Sequence, residues 1–272
     1  MTDIFNAFLS YSFLRNALIV GTLVSLCCAL LGVSLVLKRY SMIGDGLSHV
    51  GFGAMSIALA LNLAPLYVAI PVVIISAFLL LKINEKSRLF GDSAIALIST
   101  SSVAIGVMIV SMTKGMTTDI SNYMFGSILV MTKADVILSI VLSLLVLVLF
   151  VLFYNRIFAI TFDESFAKAT GTNTNLFNSF IAILTAITIV LGMRMMGAML
   201  ISSLIIFPAL SSLKVCKSFG AVIVLSAVIS AISFICGLFM SFTLDSPTGA
   251  TVVVSNLVVY LLFCLIAKIR KN

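Results

Sequence analysis

The chain has 272 residues, 62% of them hydrophobic and only 9% charged, with a mean hydropathy of +1.29. A soluble domain carries roughly 25% charged residues and 45–50% apolar ones, so this balance excludes a soluble globular domain and a disordered chain. The net charge of +7 is scattered between apolar runs rather than gathered on a patch, so the expected partner is lipid and not nucleic acid. The fold class read from this is an all-α polytopic integral membrane protein, with residues 1–272 forming one transmembrane domain.

The stretch Met1 to Tyr11 has no basic region, and the apolar run after Arg15 is too long for a signal-peptide core. It reads as a retained first span, 16–37. Cys27 and Cys28 lie inside it; with Cys216, Cys236 and Cys264 they form no C-x-x-C pair, and packing is the expected role of all five. The next stretch free of Lys, Arg, Asp and Glu, 46–81, is too long for one crossing of about 20 residues. Asn62 and Pro65 break it into spans 43–62 and 65–82.

The second span carries the chemistry. Asp45 and His49, the sole histidine, stand one helical turn apart, with Cβ atoms roughly 5–6 Å from each other. Ionisable groups inside a span are costly and mark a site or pathway. A carboxylate with an imidazole suits zinc, manganese or iron. Gly44, Gly46, Ser48, Gly51 and Gly53 around them let a partner helix come close or leave a cavity. The same pair could instead be an Asp–His hydrogen bond tying helices together, or a proton relay. An intramembrane aspartyl protease would need a second aspartate within a span, and a zinc protease would need a second histidine. Two ligands do not complete a metal site. A two-fold dimer with this span near its axis would supply four; Asp119, Asp245 or methionines are the other candidates.

Further spans lie at 93–113, 135–154, 175–193, 195–213, 219–242 and 249–267, giving eight or nine in all. Between the fourth and fifth, Thr117 to Lys133 reads as a short apolar helix at the interface. Between the fifth and sixth, Thr161 to Gly171 reads as a two-turn amphipathic helix: Thr161 and Glu164 can form a capping box, Glu164 and Lys168 an i,i+4 pair, and Gly171 a left-handed stop. Such a helix is either a self-capped connector or a docking knob for a partner. The turn from Gly192 to Gly197 is very short and Pro208 interrupts the next span, so one of these two is expected to be broken or re-entrant. Met193, Met195, Met196 and Met199 around it read as flexible packing rather than a soft-metal box.

Of the 16 basic residues, only Arg15, Lys114, Lys133 and Arg194 fall on one side of this nine-span plan. The rest fall on the other, which places the N-terminus outside and the C-terminus in the cytoplasm. No Gly-x-x-x-x-Gly-Lys-Ser/Thr loop is present, so ATP, if used, is hydrolysed by another chain.

Five stretches, in order, carry a resemblance. They are Gly44-Asp45-Gly46-Leu47-Ser48-His49; Phe125-Gly126-Ser127-Ile128-Leu129 with Asp135; Phe162-Asp163-Glu164-Ser165-Phe166-Ala167 with Gly171; Gly197-Ala198-Met199-Leu200 through Phe207-Pro208-Ala209; and Asp245-Ser246-Pro247-Thr248-Gly249. The chain resembles the permease subunits of bacterial ATP-binding-cassette (ABC) importers for zinc, manganese and iron. The resemblance implies a homodimer in the cell (inner) membrane, bound to cytoplasmic ATPase subunits and fed by an extracytoplasmic metal-binding protein. It implies that Asp45 and His49 hold the transported ion, with no permanently bound cofactor. It also implies that Phe162, Asp163, Glu164, Phe166, Ala167 and Gly171 belong to the helix that couples to the ATPase. The rival reading from the residues alone is a proton-coupled secondary carrier using the same pair.

Overall fold

The computed structural model describes residues 11–86, 91–113, 126 and 132–270. Among them the helices are α1 (Ser12–Leu37), α2 (Ser41–Ala60), α3 (Pro65–Lys86), α4 (Gly91–Met112), α5 (Lys133–Leu152), α6 (Tyr154–Phe162), α7 (Glu164–Ala169), α8 (Thr174–Met196), α9 (Ala198–Val215), α10 (Phe219–Leu244) and α11 (Thr248–Ile269). Each predicted span corresponds to one long helix. Eight of them are long and apolar enough to cross a membrane; the other is α2, which carries Asp45 and His49. Most of the expected interfacial helix, Thr117 to Lys133, lies outside the described residues. Its last residue, Lys133, opens α5 instead, where Thr132 and Asp135 form a capping box.

Local chemistry sets the corners. Asn62 takes a left-handed conformation (φ 55°), donating its N–H to the Leu59 carbonyl while Leu63 donates to Ala58. Pro65 then starts α3, where a missing N–H costs nothing. Pro208 sits within α9 without ending it. The short turn between α8 and α9 is made by Gly197 (φ 84°), and it is buried: Met195, Met196 and Ala198 are almost inaccessible. A Cβ on Gly21, well inside α1, would reach the Met196 side chain, so this turn lies within the bundle rather than beyond it.

The interior consists of α1, α2, α8 and α9, whereas α4 and α11 present most of their surface outward. Val254, Leu257, Val258, Leu261, Leu262 and Leu265 form the exposed face of α11, which hydrocarbon solvates well. Interior helices are joined by hydroxyls as well as by packing. The Ser230 hydroxyl donates to the Ser25 carbonyl (2.9 Å), and the Cys27 thiol to the Ser143 carbonyl (3.4 Å), clipping α10 and α5 to α1. All five cysteines are free; Cys27 and Cys28 are buried as packing residues, Cys216 and Cys264 are half-buried, and Cys236 is exposed.

α2 has a mixed composition because its neighbours come too close for larger side chains. A Cβ on Gly53 would stand 2.7 Å from the Ser102 carbonyl oxygen of α4, and one on Gly46 would stand 2.7 Å from Ile95. Across from them, Gly106 of α4 meets Phe52 and the Gly53 backbone. Because the obstacle at Gly53 is backbone, Gly53→Ala should cost about 1–3 kcal/mol of overpacking. Gly44→Ala meets only the flexible tip of Ile205 at 3.2 Å and should cost less than half as much. Thermal unfolding of the purified protein in detergent measures both; equal losses would show that the α2–α4 approach does not limit stability.

Candidate metal site and coupling helix

Asp45 and His49 project from α2 on one face, with Asp45 Oδ2 3.7 Å from His49 Nε2. Their side chains are 40% and 29% exposed, so the pair opens outward from the bundle instead of being sealed inside one chain. The second oxygen of Asp45 is held by α9: the Ser202 hydroxyl donates to Oδ1 at 2.7 Å. That bond joins the second turns of two helices far apart in sequence and fixes the carboxylate with Oδ2 left toward the histidine. Ser48 turns back to the Asp45 carbonyl (2.7 Å) and takes no part.

Met42 lies one turn before Asp45 on α2 and Met199 one turn before Ser202 on α9, and both are exposed. Met193, Met195 and Met196, by contrast, are buried, with Met193 filling the space over Gly51. The packing reading therefore holds for these three and leaves Met199 apart. Asp245 ends α10 in a left-handed conformation (φ 51°), in a cleft with Phe13, Leu14 and Gly126 near the start of α1, at the far end of that helix from the turn into α2. Asp119 lies outside the described residues. Among the described residues no group of three or more His, Cys, Asp or Glu side chains forms. At this site the described residues of one chain thus offer a carboxylate and an imidazole, with the Ser202 hydroxyl engaged on the carboxylate.

Sequence reasoning missed Ser202. Its only signal is position, since it is one of two adjacent serines in an apolar helix, and nothing local distinguishes it from Ser203, which bonds to its own helix at Leu200.

Arg194 also changes meaning. It is not a loop charge: its side chain is 9% exposed and pairs with Asp135 at 3.1 Å, joining α8 to α5. A buried pair of this kind is costly to break from one side.

The inner segment forms a helix, with a different start from the one expected. Thr161 is buried within α6 and bonds to the Ile157 carbonyl (2.7 Å), so it makes no capping box. Asp163 is the cap of α7, accepting the Phe166 N–H at 2.9 Å. Glu164 pairs with Lys38 at the end of α1 (3.4 Å) rather than with Lys168. Gly171 does adopt the left-handed stop (φ 84°). Phe162 and Phe166 are 60% and 63% exposed, but Phe162 ends α6 and rests edge-on against Phe219 (5.7 Å between ring centroids). Ala167 is fully buried and supports the helix from within, so it presents no contact surface. Phe166 is left as the unsupported apolar knob.

Comparison with known proteins agrees with this architecture. The profile of the ABC 3 transport family matches residues 10–267. The manganese transport system membrane protein MntC of Halalkalibacterium halodurans is 28% identical over 253 residues, covering 93% of this chain and 87% of that protein. The manganese import system permease protein ScaB of Streptococcus gordonii is 27% identical, covering 94% of this chain and 92% of its own length. Among solved structures, PsaBC from Streptococcus pneumoniae in complex with Fab superposes with a TM-score of 0.87 at 26% identity, over 96% of this chain and 94% of that one. In such assemblies ATP is hydrolysed by a separate ATPase, in keeping with the missing nucleotide loop. The chain belongs to the ABC 3 transport family, as a membrane permease subunit of a metal-ion ABC importer.

Proposed function

We propose that this permease imports manganese delivered by an extracytoplasmic binding protein, and that Asp45 and His49 hold the ion in transit. The observation that carries this reading is the outward-open Asp45–His49 pair braced by Ser202. Carboxylate and imidazole donors accept manganese as they accept zinc or iron, so the choice of manganese rests on the relatives. Manganese appears in the names of the relatives MntC and ScaB. Two copies of the chain, arranged about a two-fold axis beside α2, would bring two carboxylates and two imidazoles to one ion. Because the imidazole must be neutral to ligate, the ion displaces any proton held there.

The topology supports an orientation with the C-terminus in the cytoplasm. Read as successive antiparallel crossings, the spans put Lys38, Arg39, Lys82, Arg156, Lys168, Lys214, Lys217, Lys268 and Arg270 at one end, which the positive-inside bias assigns to the cytoplasm. Removing the buried Arg194 from the opposing set strengthens that bias. α7 and Phe166 then face the ATPase.

Manganese uptake by the permease, ATPase and binding protein in proteoliposomes tests the ion site. Ser202→Ala should weaken uptake by about 10–100-fold at low metal, the usual cost of an outer support, and His49→Ala should cost more. Asp45→Asn should resemble His49→Ala despite its equal size. His49→Cys should shift residual transport from manganese toward zinc. Assembled Asp45→Asn and His49→Ala complexes that move manganese at wild-type rates would remove both residues from the site.

Docking is tested at Phe166. Phe166→Ala should weaken ATPase binding by about 2 kcal/mol or more, roughly 30-fold, and reduce uptake accordingly. Phe162→Ala should combine that effect with lost packing on Phe219. ATPase co-purifying undiminished with the double variant, alongside normal uptake, would reject the docking assignment. For orientation, single-cysteine labelling from each side should find Lys168 inside and Lys133 outside, and the two on one side would contradict it.

A further inference from the structure

We infer that Lys38, Glu164 and Asn178 form a polar latch that transmits movement of α7 to the ion-holding helix α2, which makes Lys38 and Asn178 positioning residues for transport. The inference rests on the reading of α7 as the ATPase contact and of Asp45 with His49 as the ion site.

Glu164 is on α7, and its two oxygens divide between two helices. Oε2 pairs with Lys38 Nζ at 3.4 Å, and Oε1 accepts the Asn178 amide Nδ2 at 2.9 Å. Lys38 closes the triangle by donating to Asn178 Oδ1. The lysine side chain is only 9% exposed, so its charge depends on these oxygens in place of bulk water. A connector helix held only by its own caps would need no buried charge reaching across 126 residues of chain.

The corner after Lys38 gives the latch its direction. Lys38 caps the C-terminal end of α1, and the chain turns into α2 with no slack. Arg39 is left-handed (φ 62°), donating to the Val36 carbonyl (3.1 Å), and Tyr40 donates to Leu35 (2.7 Å). These two bonds form a Schellman closure, which fixes the angle between the helix and the departing chain. Tyr40 then caps α2, with its ring 5.9 Å from the Lys38 ammonium. Asp45 lies a little over one turn beyond. Displacement of Glu164 therefore moves Lys38, the rigid corner and the start of α2 together, because packed helices shift as bodies. A small cleft lined by Leu35, Tyr40, Ile43, Leu47 and Ile181 borders the latch.

The test compares ATP hydrolysis and manganese uptake in the complete complex in proteoliposomes. Lys38→Met and Asn178→Ala should leave hydrolysis within about twofold while uptake falls about tenfold, so that more ATP is consumed per ion. The exchange Lys38→Glu with Glu164→Lys should recover part of that ratio, because it restores the pair with its sign reversed. A strut without a transmitting role predicts another pattern: hydrolysis and uptake fall in proportion, along with thermal stability, and this result overturns the proposal. Unchanged uptake in both single variants overturns it too. If Lys38→Met fails to assemble, Asn178→Ala and the exchanged pair decide in the same way. Phe166→Ala separates this failure from that of the underlying reading. Blocked uptake there with normal Lys38→Met transport rejects the latch alone, whereas normal uptake in Phe166→Ala rejects the coupling role of α7.

Discussion

The structure depends on bringing a helix too polar for lipid into the middle of an apolar bundle. α2 carries a carboxylate, an imidazole, three serines and four glycines in 20 residues. Placed at the periphery, it would expose Asp45 and His49 to hydrocarbon, at a cost of several kcal/mol for a group without partners. The glycines reduce that exposure by geometry, leaving one face of the helix open. With no side chains to hold neighbours away, α4, α8 and α9 close around the helix, and dispersion between packed backbones replaces the missing apolar surface. Lipid can then meet α4 and α11 while one strip of α2, bearing Met42, Asp45 and His49, stays open.

That arrangement separates two demands on the site. In the proposed role an ion must be able to reach the pair and leave, which the partial exposure of Asp45 and His49 permits. Ligands in such a role would nevertheless have to be held in place, which the Ser202 bond does for the carboxylate from outside its own helix. A site fixed at a helix crossing is sensitive to any relative movement of α2 and α9, because the two anchors belong to different bodies.

The sequence disclosed the helices well, since long uncharged stretches and the Asn62–Pro65 break follow from local composition. It disclosed the Asp45–His49 pair for the same reason, as both lie on one turn of one helix. What it could not disclose were bonds between distant elements. Ser202 looks like any hydroxyl in an apolar run, and only the crossing of α2 and α9 distinguishes it. Glu164 has Thr161 and Lys168 within local reach, yet it pairs with Lys38, because folding brings a buried ammonium closer than either. Arg194 was countable as a loop charge only while the α8–α9 turn was taken to lie outside the bundle.

The burial of Arg194 has a consequence for how the protein is made. A guanidinium lodged between helices cannot wait there alone, so its neutralising carboxylate has to be present when α8 enters the membrane. Asp135 lies 59 residues earlier in the chain, and synthesis delivers it first, already fixed in the opening turn of α5. For this pair the order of residues along the chain doubles as an order of insertion, the buried guanidinium arriving after the carboxylate that receives it.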